Sequence, residues 1–430
     1  MVLSTTDCGP VRKGLSFPMR SLPLPPKTRR GWRSHPVAVL GLGFLVACSD
    51  PSPGLAQSGE VHTSRHHDFR IVSVVQGLAN PWAIAFLPGG DMLVTERPGR
   101  LRVIRDGALD PTPVSGLPPV WANGQGGLLD VVPHPEFPSN RLVYLSYSKP
   151  SADGSEATTA VIRGTFDGAT LSNVEEIFEA RAWSRQRQHF GSRLAFDRDG
   201  YLFITVGDRG VRPNPATLEG HPSQDLTNHQ GTTLRLHDDG RVPADNPFVD
   251  HPTALPEIWS YGHRNAQGLV VHPETNEVWL NEHGPQGGDE INLVLPGRNY
   301  GWPVVGFGVQ YGGSVIHPST TRPGMEDPVH YWVPSIATSG KLLYTGNAFP
   351  AWNGSMFVGG LAGEVLARVV LSDGEVTEEE SLLKNKVGRI RDVRQGPDGF
   401  IYLAIDNPSG RPFSIVRLEP AGDWNLAHRP

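Results

Sequence analysis

Cysteine is almost absent from this chain: its 430 residues include two, Cys8 and Cys48, and both precede the part whose pattern predicts a folded domain. A domain held together by disulfides is therefore excluded. No Cys-x-x-Cys-His sequence occurs, which excludes a c-type haem. Charged residues make up 19% of the chain, the net charge is −6 and no basic patch occurs. Neither nucleic acid nor an anionic lipid surface is therefore an expected electrostatic partner.

Long hydrophobic runs are also scarce. The longest, Val37–Ala47, has eleven residues and is too short to span a bilayer as a helix. Three arginines at positions 29–33 precede it, and small residues lead from it into Cys48. This order resembles a bacterial lipoprotein export signal, which implies cleavage before Cys48 and a lipid on its thiol; a plain secretory signal is the alternative. We interpret residues 1–47 as this signal, with Met19 as an alternative start, and expect a periplasmic or lipid-anchored envelope protein.

The 50 glycines and 40 prolines are scattered between short apolar runs, and amphipathic helices of ordinary length are absent. A turn followed by about four β-branched or aromatic residues recurs six times, which is typical of β-hairpins. The repeats begin at positions 86, 131, 195, 270, 348 and 393. Their spacing of roughly 60 residues is the scale of a four-stranded propeller blade with long loops.

The sequence therefore predicts an all-β fold, a six-bladed β-propeller with four-stranded antiparallel blades, over residues 69–420. Two packed β-sandwiches are the alternative. The polar, aperiodic residues 48–68 are interpreted as a flexible tether and residues 421–430 as a C-terminal tail. The charged run 372–386 is predicted to be an exposed hairpin.

One stretch, residues 259–303, holds several polar clusters that two strand-like runs, 268–272 and 277–281, separate. It holds the Arg264–Asn265 pair, the Gly284–Pro285 step and the Asp289–Glu290 pair. A propeller gathers the loops between its strands at one mouth, and loops held by strands are where binding and catalytic groups are usually found. This stretch is therefore predicted to supply half of an active site.

Several motifs together resemble the soluble pyrroloquinoline quinone (PQQ)-dependent sugar dehydrogenases of the glucose/sorbosone dehydrogenase family, and especially their bacterial aldose sugar dehydrogenase branch. The motifs follow the family's order and cover nearly all of the chain from Gly77 onward. They are GQGGLLDVVPHPEF (124–137), RQHFGSRLAFDRDGYLFITVGD (187–208), QDLTNHQGTTLRL (224–236), EIWSYGHRNAQGL (257–269), NEHGPQGGDEINLVLPGRNYGWP (281–303) and RIRDVRQGPDG (389–399).

The resemblance implies oxidation of aldoses at the anomeric carbon to lactones, with hydride transfer to calcium-bound PQQ. His189, in RQHFG, matches the family's general base, and an imidazole that is neutral near pH 7 suits that task. Arg264 matches an arginine that stabilises the reduced cofactor. The glucose-oxidising branch carries an aspartate before this histidine, where this chain has Gln188.

PQQ is a flat quinone with three carboxylates, so cations and in-plane hydrogen-bond donors suit it. Arg389 and Arg391 alternate along a predicted strand, which puts two positive charges on one face and indicates an anion between them. The cofactor-binding residues implied by the resemblance are Gln125, Arg264, Asn265, Tyr311, Arg389, Arg391 and the backbone of Gly360, Leu361 and Ala362. Relatives carry a lysine at the last of these segments; this chain has no cation there.

Calcium takes carboxylate and carbonyl oxygens. By resemblance, the carbonyls of Gly284 and Pro285 hold the calcium that contacts the cofactor. Asp289 and Glu290, with the carbonyl of Tyr300, resemble a second, structural calcium site.

Two alternatives remain open from the sequence. One is a calcium-dependent propeller lactonase or other hydrolase, which needs a metal and a base but no redox cofactor. The other is a non-catalytic propeller that binds glycans or a protein. The expected partners of the dehydrogenase are an aldose and a soluble or quinone electron acceptor; contact with a membrane is expected only through a lipid on Cys48.

Overall fold

The computed structural model describes residues 57–406 and 413–422, and almost all of them lie in strands or the turns between strands. The chain begins with two strands, β1 (Gln57–His62) and β2 (Phe69–Leu78). The first complete sheet contains β3 (Pro81–Phe86), β4 (Met92–Glu96), β5 (Arg100–Arg105) and β6 (Ala108–Leu109). The second contains β7 (Leu128–Pro133), β8 (Leu142–Pro150), β9 (Ala157–Phe166) and β10 (Leu171–Glu179).

Three more sheets follow in order. The third contains β11 (Leu194–Phe196), β12 (Leu202–Val206), β13 (Thr232–Leu236) and β14 (Ile258–Tyr261). The fourth contains β15 (Ala266–Val271), β16 (Val278–Glu282), β17 (Asp289–Val294) and β18 (His330–Trp332). The fifth contains β19 (Thr338–Leu343), β20 (Met356–Gly360), β21 (Val365–Ser372) and β22 (Glu375–Leu382).

The sixth sheet joins the two ends of the chain. It contains β23 (Arg389–Gln395), β24 (Ile401–Asp406) and β25 (Phe413–Pro420), followed outward by β2 and β1. The innermost strands β3, β7, β11, β15, β19 and β23 contact one another in that order and close a ring, since β23 also contacts β3. The predicted six-bladed β-propeller with antiparallel blades is therefore confirmed. The predicted hairpin of the charged run is β21–β22, whose outer strand is largely exposed.

Closure of the ring depends on pairing between β2 and β25. At the start of β2, Phe69 is 1% exposed and its ring lies edge-on to Trp352 of the neighbouring blade at 5.7 Å. Burial of an aromatic side chain of this size contributes about 1.5–3 kcal/mol. The N-terminal strand thus seals the sixth blade both by its hydrogen bonds and by its packing.

The predicted tether, residues 48–68, differs from the structure where it is described. Gln57–His62 pairs antiparallel with β2 and adds a fifth strand to the sixth blade, and the His62 ring stacks on Phe69 at 5.6 Å. The outer edge of β2 offers unpaired backbone groups, which explains why an aperiodic polar segment is ordered there. The export signal and the tail beyond 422 lie outside the described residues.

Helices are few and short. The described residues contain one α-helix, α1 (Phe137–Asn140), and the 3-10 helices Leu218–Gly220, Pro222–Gln224 and Pro350–Trp352. None of the helices in these residues is long and apolar enough to cross a membrane.

The antiparallel hairpins decide where polar groups meet. The first residues of an innermost strand lie beside the last residues of the second strand of the same blade. Arg264–Asn265 precede β15 while His283–Pro285 follow β16, and His189 precedes β11 while Asp208 follows β12. All four segments therefore lie at one end of the ring, which we call the mouth.

Candidate active site

His189 lies at the mouth and is hydrogen bonded to a carboxylate. It is 7% exposed, and its Nδ1 lies 2.6 Å from Oδ1 of Asp208. Asp208 also accepts hydrogen bonds from the indole Nε1 of Trp302, at 2.9 Å, and from the backbone N–H of Gly210, at 2.7 Å. A buried carboxylate surrounded by donors is an acceptor, so Nδ1 of His189 carries the proton and Nε2 keeps a lone pair.

The sequence gives no anionic partner for His189 at position 188, and the structure supplies one from a different segment. Asp208 lies nineteen positions later along the chain, at the end of β12. The backbone N–H of His189 donates to Oε1 of Gln125 at 2.9 Å, so two predicted site residues are in direct contact.

Burial lowers the pKa of His189 below its ordinary value. Asp208 acts in the opposite direction, while the positive charges of Arg264 and Arg209 add to the lowering. Burial acts to raise the pKa of Asp208, but the His189 and Arg264 charges and the hydrogen bonds outweigh it and hold that pKa below its usual value. At neutral pH the pair is thus a neutral imidazole next to a carboxylate, as a general base requires.

Arg264 links the mouth to the Gly284 loop. Its Nη1 donates to the carbonyls of His283, at 3.1 Å, and Gly284, at 2.8 Å, and its guanidinium lies 5.2 Å from the centroid of the Trp302 ring. Its neighbour Asn265 accepts from the backbone N–H of Gly191 at 3.1 Å. Hydrogen bonds to the protein backbone therefore hold the side chains of both Arg264 and Asn265 in place.

A cavity of about 700 Å³ opens above these groups. Its lining includes the predicted residues His189, Arg264, Pro285 and Tyr311, and it also includes Asp208 and Trp302. Tyr311 is 74% exposed at the rim, where its side chain is accessible to a bound molecule. The cavity is large enough for a small planar cofactor together with a sugar.

Arg389 and Arg391 are both partly buried, on either side of the buried Ile390. Arg391 donates to Oε1 of Gln267 at 2.8 Å and pairs with Asp406 at 3.5 Å. Burial lowers its pKa to about 10, and the Arg389 charge acts in the same direction. Asp406 thus neutralises part of the positive charge that the two arginines place on this face.

The segment Gly360–Ala362 turns from β20 beside Arg389. The carbonyl of Leu361 accepts from Arg389 at 3.3 Å, and its N–H donates to the carbonyl of Ala337 at 2.9 Å. Ala362 is exposed. The backbone here therefore holds Arg389, whose guanidinium is the positive charge beside this segment.

Asp289 and Glu290, the side chains predicted for a second calcium site, face different neighbours in the structure. Adjacent strand residues point to opposite faces, so the side chains of Asp289 and Glu290 do not converge. Asp289 accepts from the N–H of Gly284, at 2.9 Å, and from Oγ of Ser335, at 2.8 Å. Glu290 instead lies opposite Glu282 on the paired strand. Burial raises the pKa of Glu290 well above its ordinary value, and repulsion from Glu282 adds to this rise.

A cavity of about 20 Å³ lies between Glu282, Glu290 and Tyr300, with Gly284 and Pro285 also in its wall. This is the size of one water molecule or one ion. No cluster of three or more His, Cys, Asp or Glu residues in metal-binding geometry occurs in the described ranges. Any cation here would therefore need carbonyl oxygens among its ligands.

Sequence reasoning missed Asp208, Trp302, Glu282 and His283. Each sits in one of the motifs quoted above. The contacts of Asp208 with His189 and of Trp302 with Asp208 join separate segments of the chain, so the sequence does not show them. His283 has a buried Nε2 that finds no partner among the described residues.

Comparison with known proteins agrees with this geometry. A family model described as glucose/sorbosone dehydrogenase matches residues 78–417. The chain is similar to the aldose sugar dehydrogenase YliI of Escherichia coli, with 44% identity over 81% of this chain and 92% of that protein.

The chain is also similar to solved structures of aldose sugar dehydrogenases. The apo form of the soluble aldose sugar dehydrogenase from Escherichia coli has 41% identity and a TM-score of 0.76, covering 82% of this chain and 99% of that one. The PQQ-bound form of the aldose sugar dehydrogenase from Streptomyces coelicolor has 28% identity and a TM-score of 0.66, covering 85% of this chain and 99% of that one. The chain, a homologue of aldose sugar dehydrogenases, therefore belongs to the glucose/sorbosone dehydrogenase family.

Proposed function

We propose that this protein oxidises aldoses at the anomeric carbon to lactones, using PQQ. The observation that carries the proposal is the His189–Asp208 pair, which leaves Nε2 of His189 without a hydrogen bond in the described part of the chain. His189 and Arg264 line the same cavity. A base beside a fixed cation, in a cavity of sufficient size for a sugar, is what removal of a hydroxyl proton requires.

In this proposal Nε2 of His189 takes the proton from the anomeric hydroxyl as the C–H bond at that carbon breaks and the carbonyl forms. Asp208 stabilises the imidazolium that results and keeps the ring in one orientation. Arg264 provides positive charge where negative charge develops. When bound, PQQ would accept the hydride and its electron pair. The half-reaction thus releases one proton to the protein and leaves the lactone.

The residues present fit PQQ. Arg264, Arg389 and Arg391 would hold its carboxylates and quinone oxygens, since Asp406 is the one acidic group that pairs with any of them among the described residues. Nδ2 of Asn265 is buried and has no partner in the same part of the structure, as expected of a donor that a ligand completes. Gln125, Tyr311 and the backbone of Gly360–Ala362 would complete the site.

We propose calcium as the second cofactor. Carbonyl oxygens of Gly284 and Pro285 would hold one ion near PQQ, and Glu290 with the carbonyl of Tyr300 would hold another. The carboxylates of the buried Glu282 and the half-buried Glu290 repel each other without a cation between them, and a hard divalent ion would offset that cost.

This leads to a prediction for Glu290→Gln. The pKa of Glu290 is raised in the folded state. The free energy of unfolding therefore falls as pH rises from the unfolded-state pKa of this carboxyl through its folded-state pKa. At pH 7 in EDTA, the glutamine variant should therefore melt higher than wild type, by about 2–4 °C. With excess calcium the order should reverse, because only wild type binds the ion. Thermal melts with and without calcium provide the measurement.

The exposed Glu274→Gln is the matched control and should follow wild type in both buffers. If calcium raises the melting temperatures of wild type and Glu290→Gln equally, Glu290 does not bind the ion.

A second prediction concerns pH. Because the base must be neutral and the pKa of His189 is lowered by burial, kcat/KM should be constant from neutral pH down to below pH 6.5 and fall at more acidic pH. A pH profile of dye reduction at low sugar concentration measures this. An acidic limb centred above pH 6.5 would contradict the assignment of His189.

The proposed function itself is tested with purified protein and calcium. PQQ is added first, then glucose, while the cofactor's absorbance and reduction of a redox dye are followed. Reduction of PQQ supports the proposal. If PQQ binds but no aldose of a panel reduces it, aldoses are not the substrates. If PQQ does not bind, it is not the cofactor. Hydrolysis of a sugar lactone without PQQ would favour the hydrolase.

We further propose that the protein is exported and tethered to the bacterial envelope through Cys48, with a soluble or quinone acceptor taking electrons from the site. The support is the sequence order of arginines, apolar run and cysteine in residues 29–48. Mass spectrometry of the mature N-terminus decides between a lipidated Cys48 and a plain cleaved end.

A further inference from the structure

Arg209 is the most deeply buried cation next to the proposed base. It directly follows Asp208, is 0% exposed and has a positive φ of 54°. Its guanidinium donates to three backbone carbonyls: those of Gln188, of Gln186 at 3.0 Å and of Ala157 at 3.4 Å. Two of these carbonyls belong to the segment that leads directly into His189.

The same guanidinium lies 3.5 Å from the centroid of the Phe190 ring. Arg209 therefore contacts residues on both sides of His189, while its own backbone N–H lies 3.3 Å from the carbonyl of His189. Contacts with a preceding and a following residue leave the backbone at His189 little freedom to move.

Arg209 carries its charge without a carboxylate in contact. It forms no ion pair within residues 57–406 and 413–422, and the Asp208 carboxylate points to His189, Trp302 and Gly210 instead. Burial lowers the pKa of Arg209 to about 9, so it is still charged at neutral pH. A buried cation without an anionic partner is costly, and an apolar side chain would fill the space at lower cost.

We infer that Arg209 is a positioning residue: it fixes the backbone around His189 and places a permanent positive charge beside the imidazole. The inference rests on the proposed role of His189 as base. The charged and titratable groups that face His189 are Asp208, Arg264, Arg209 and His283. Asp208 is the one negative group of this set and raises the pKa of His189, whereas Arg264 and Arg209 lower it and so help to keep the imidazole neutral.

Two substitutions separate the two roles. Arg209→Met removes both the charge and the carbonyl contacts, so kcat should fall about 10- to 100-fold, as expected for a misplaced base. The acidic midpoint of the pH profile should also move to higher pH. Arg209→Lys keeps the charge but cannot reach three carbonyls together. Its midpoint should stay near that of wild type while its kcat remains lowered. KM for the sugar should change less than kcat in both variants.

Arg185→Met is the matched control. Arg185 precedes the same segment and is exposed, and its one ion pair among the described residues is with Glu156 at 3.6 Å. This variant should have wild-type kcat and pH midpoint. Melting temperatures are recorded for every variant. If Arg209→Met does not fold, Arg209→Lys decides: lowered kcat with an unchanged midpoint supports the inference, and wild-type kcat overturns it.

The effect of Arg209 on the pKa of His189 can also be measured without catalytic turnover, and therefore independently of the proposed function. The imidazole of His189 is titrated by NMR in protein labelled with ¹⁵N-histidine, and its signal is assigned by its loss in His189→Gln. A higher midpoint in Arg209→Met than in wild type supports the inference even if no aldose is oxidised. Equal midpoints in a folded Arg209→Met overturn it, whatever the sugar assay shows.

Discussion

Replacing His189 by glutamine is expected to lower kcat by about 10³-fold. Glutamine has no basic nitrogen, so the anomeric hydroxyl keeps its proton and the C–H bond must break without assistance. Since no proposed cofactor contact is made by this imidazole, PQQ affinity should change little. Single-turnover reduction of bound PQQ measures the chemical step, and a fluorescence titration measures binding.

His251→Gln is a suitable control, because His251 is exposed and lies outside the cavity lining. It should retain full activity. A His189→Gln protein that binds PQQ and reduces it at a rate near that of wild type would exclude His189 as the base and direct attention to other groups at the mouth.

The second large effect is expected for Asp208→Asn, with a loss of about 10²- to 10⁴-fold in kcat. The carboxylate accepts from Nδ1 of His189 at 2.6 Å and from Trp302 at 2.9 Å. Trp302 donates to Oδ2, whereas His189 and the N–H of Gly210 both meet Oδ1. When Trp302 keeps the amide oxygen at the Oδ2 position, the NH₂ group takes the Oδ1 position, where it faces Nδ1 and loses the hydrogen bond from Gly210. The proton of the imidazole then moves to Nε2, and the lone pair that should take the substrate proton is lost.

Asp208→Glu and Asp199→Asn test this interpretation. Glutamate keeps the acceptor in a shifted position and should recover part of the activity, whereas Asp199 is an exposed residue of the β11–β12 turn and its amide should have no effect. An Asp208→Asn variant with wild-type kcat would show that the tautomer of His189 does not matter to the reaction.

The fold could be predicted from local patterns. A turn placed before a short β-branched strand occurs six times, and each occurrence proved to be the hairpin between the first and second strand of a blade. Strand period and turn chemistry are properties of neighbouring residues, so the sequence contains them in full. The strand at residues 57–62 could not be predicted in this way, because it forms by pairing with the edge of β2.

The candidate site was predicted less completely. Motif resemblance identified His189, Arg264, Asn265 and the Gly284–Pro285 loop as a group, and the structure brings them to one mouth. It did not show that Glu290 faces Glu282 while Asp289 faces Ser335. Strand register determines those neighbours, and register is set by pairing across the sheet.

By itself, the sequence determined the blade number, the identity of the polar segments and the family. The tertiary structure decided which distant groups touch: Asp208 with His189, Arg209 with Gln186 and Gln188, and Asp406 with Arg391. The physical reason is closure of the ring. Hairpin formation is local, but the distance between loops of different blades, and the burial that shifts their pKa values, exist only after the first and last strands have paired.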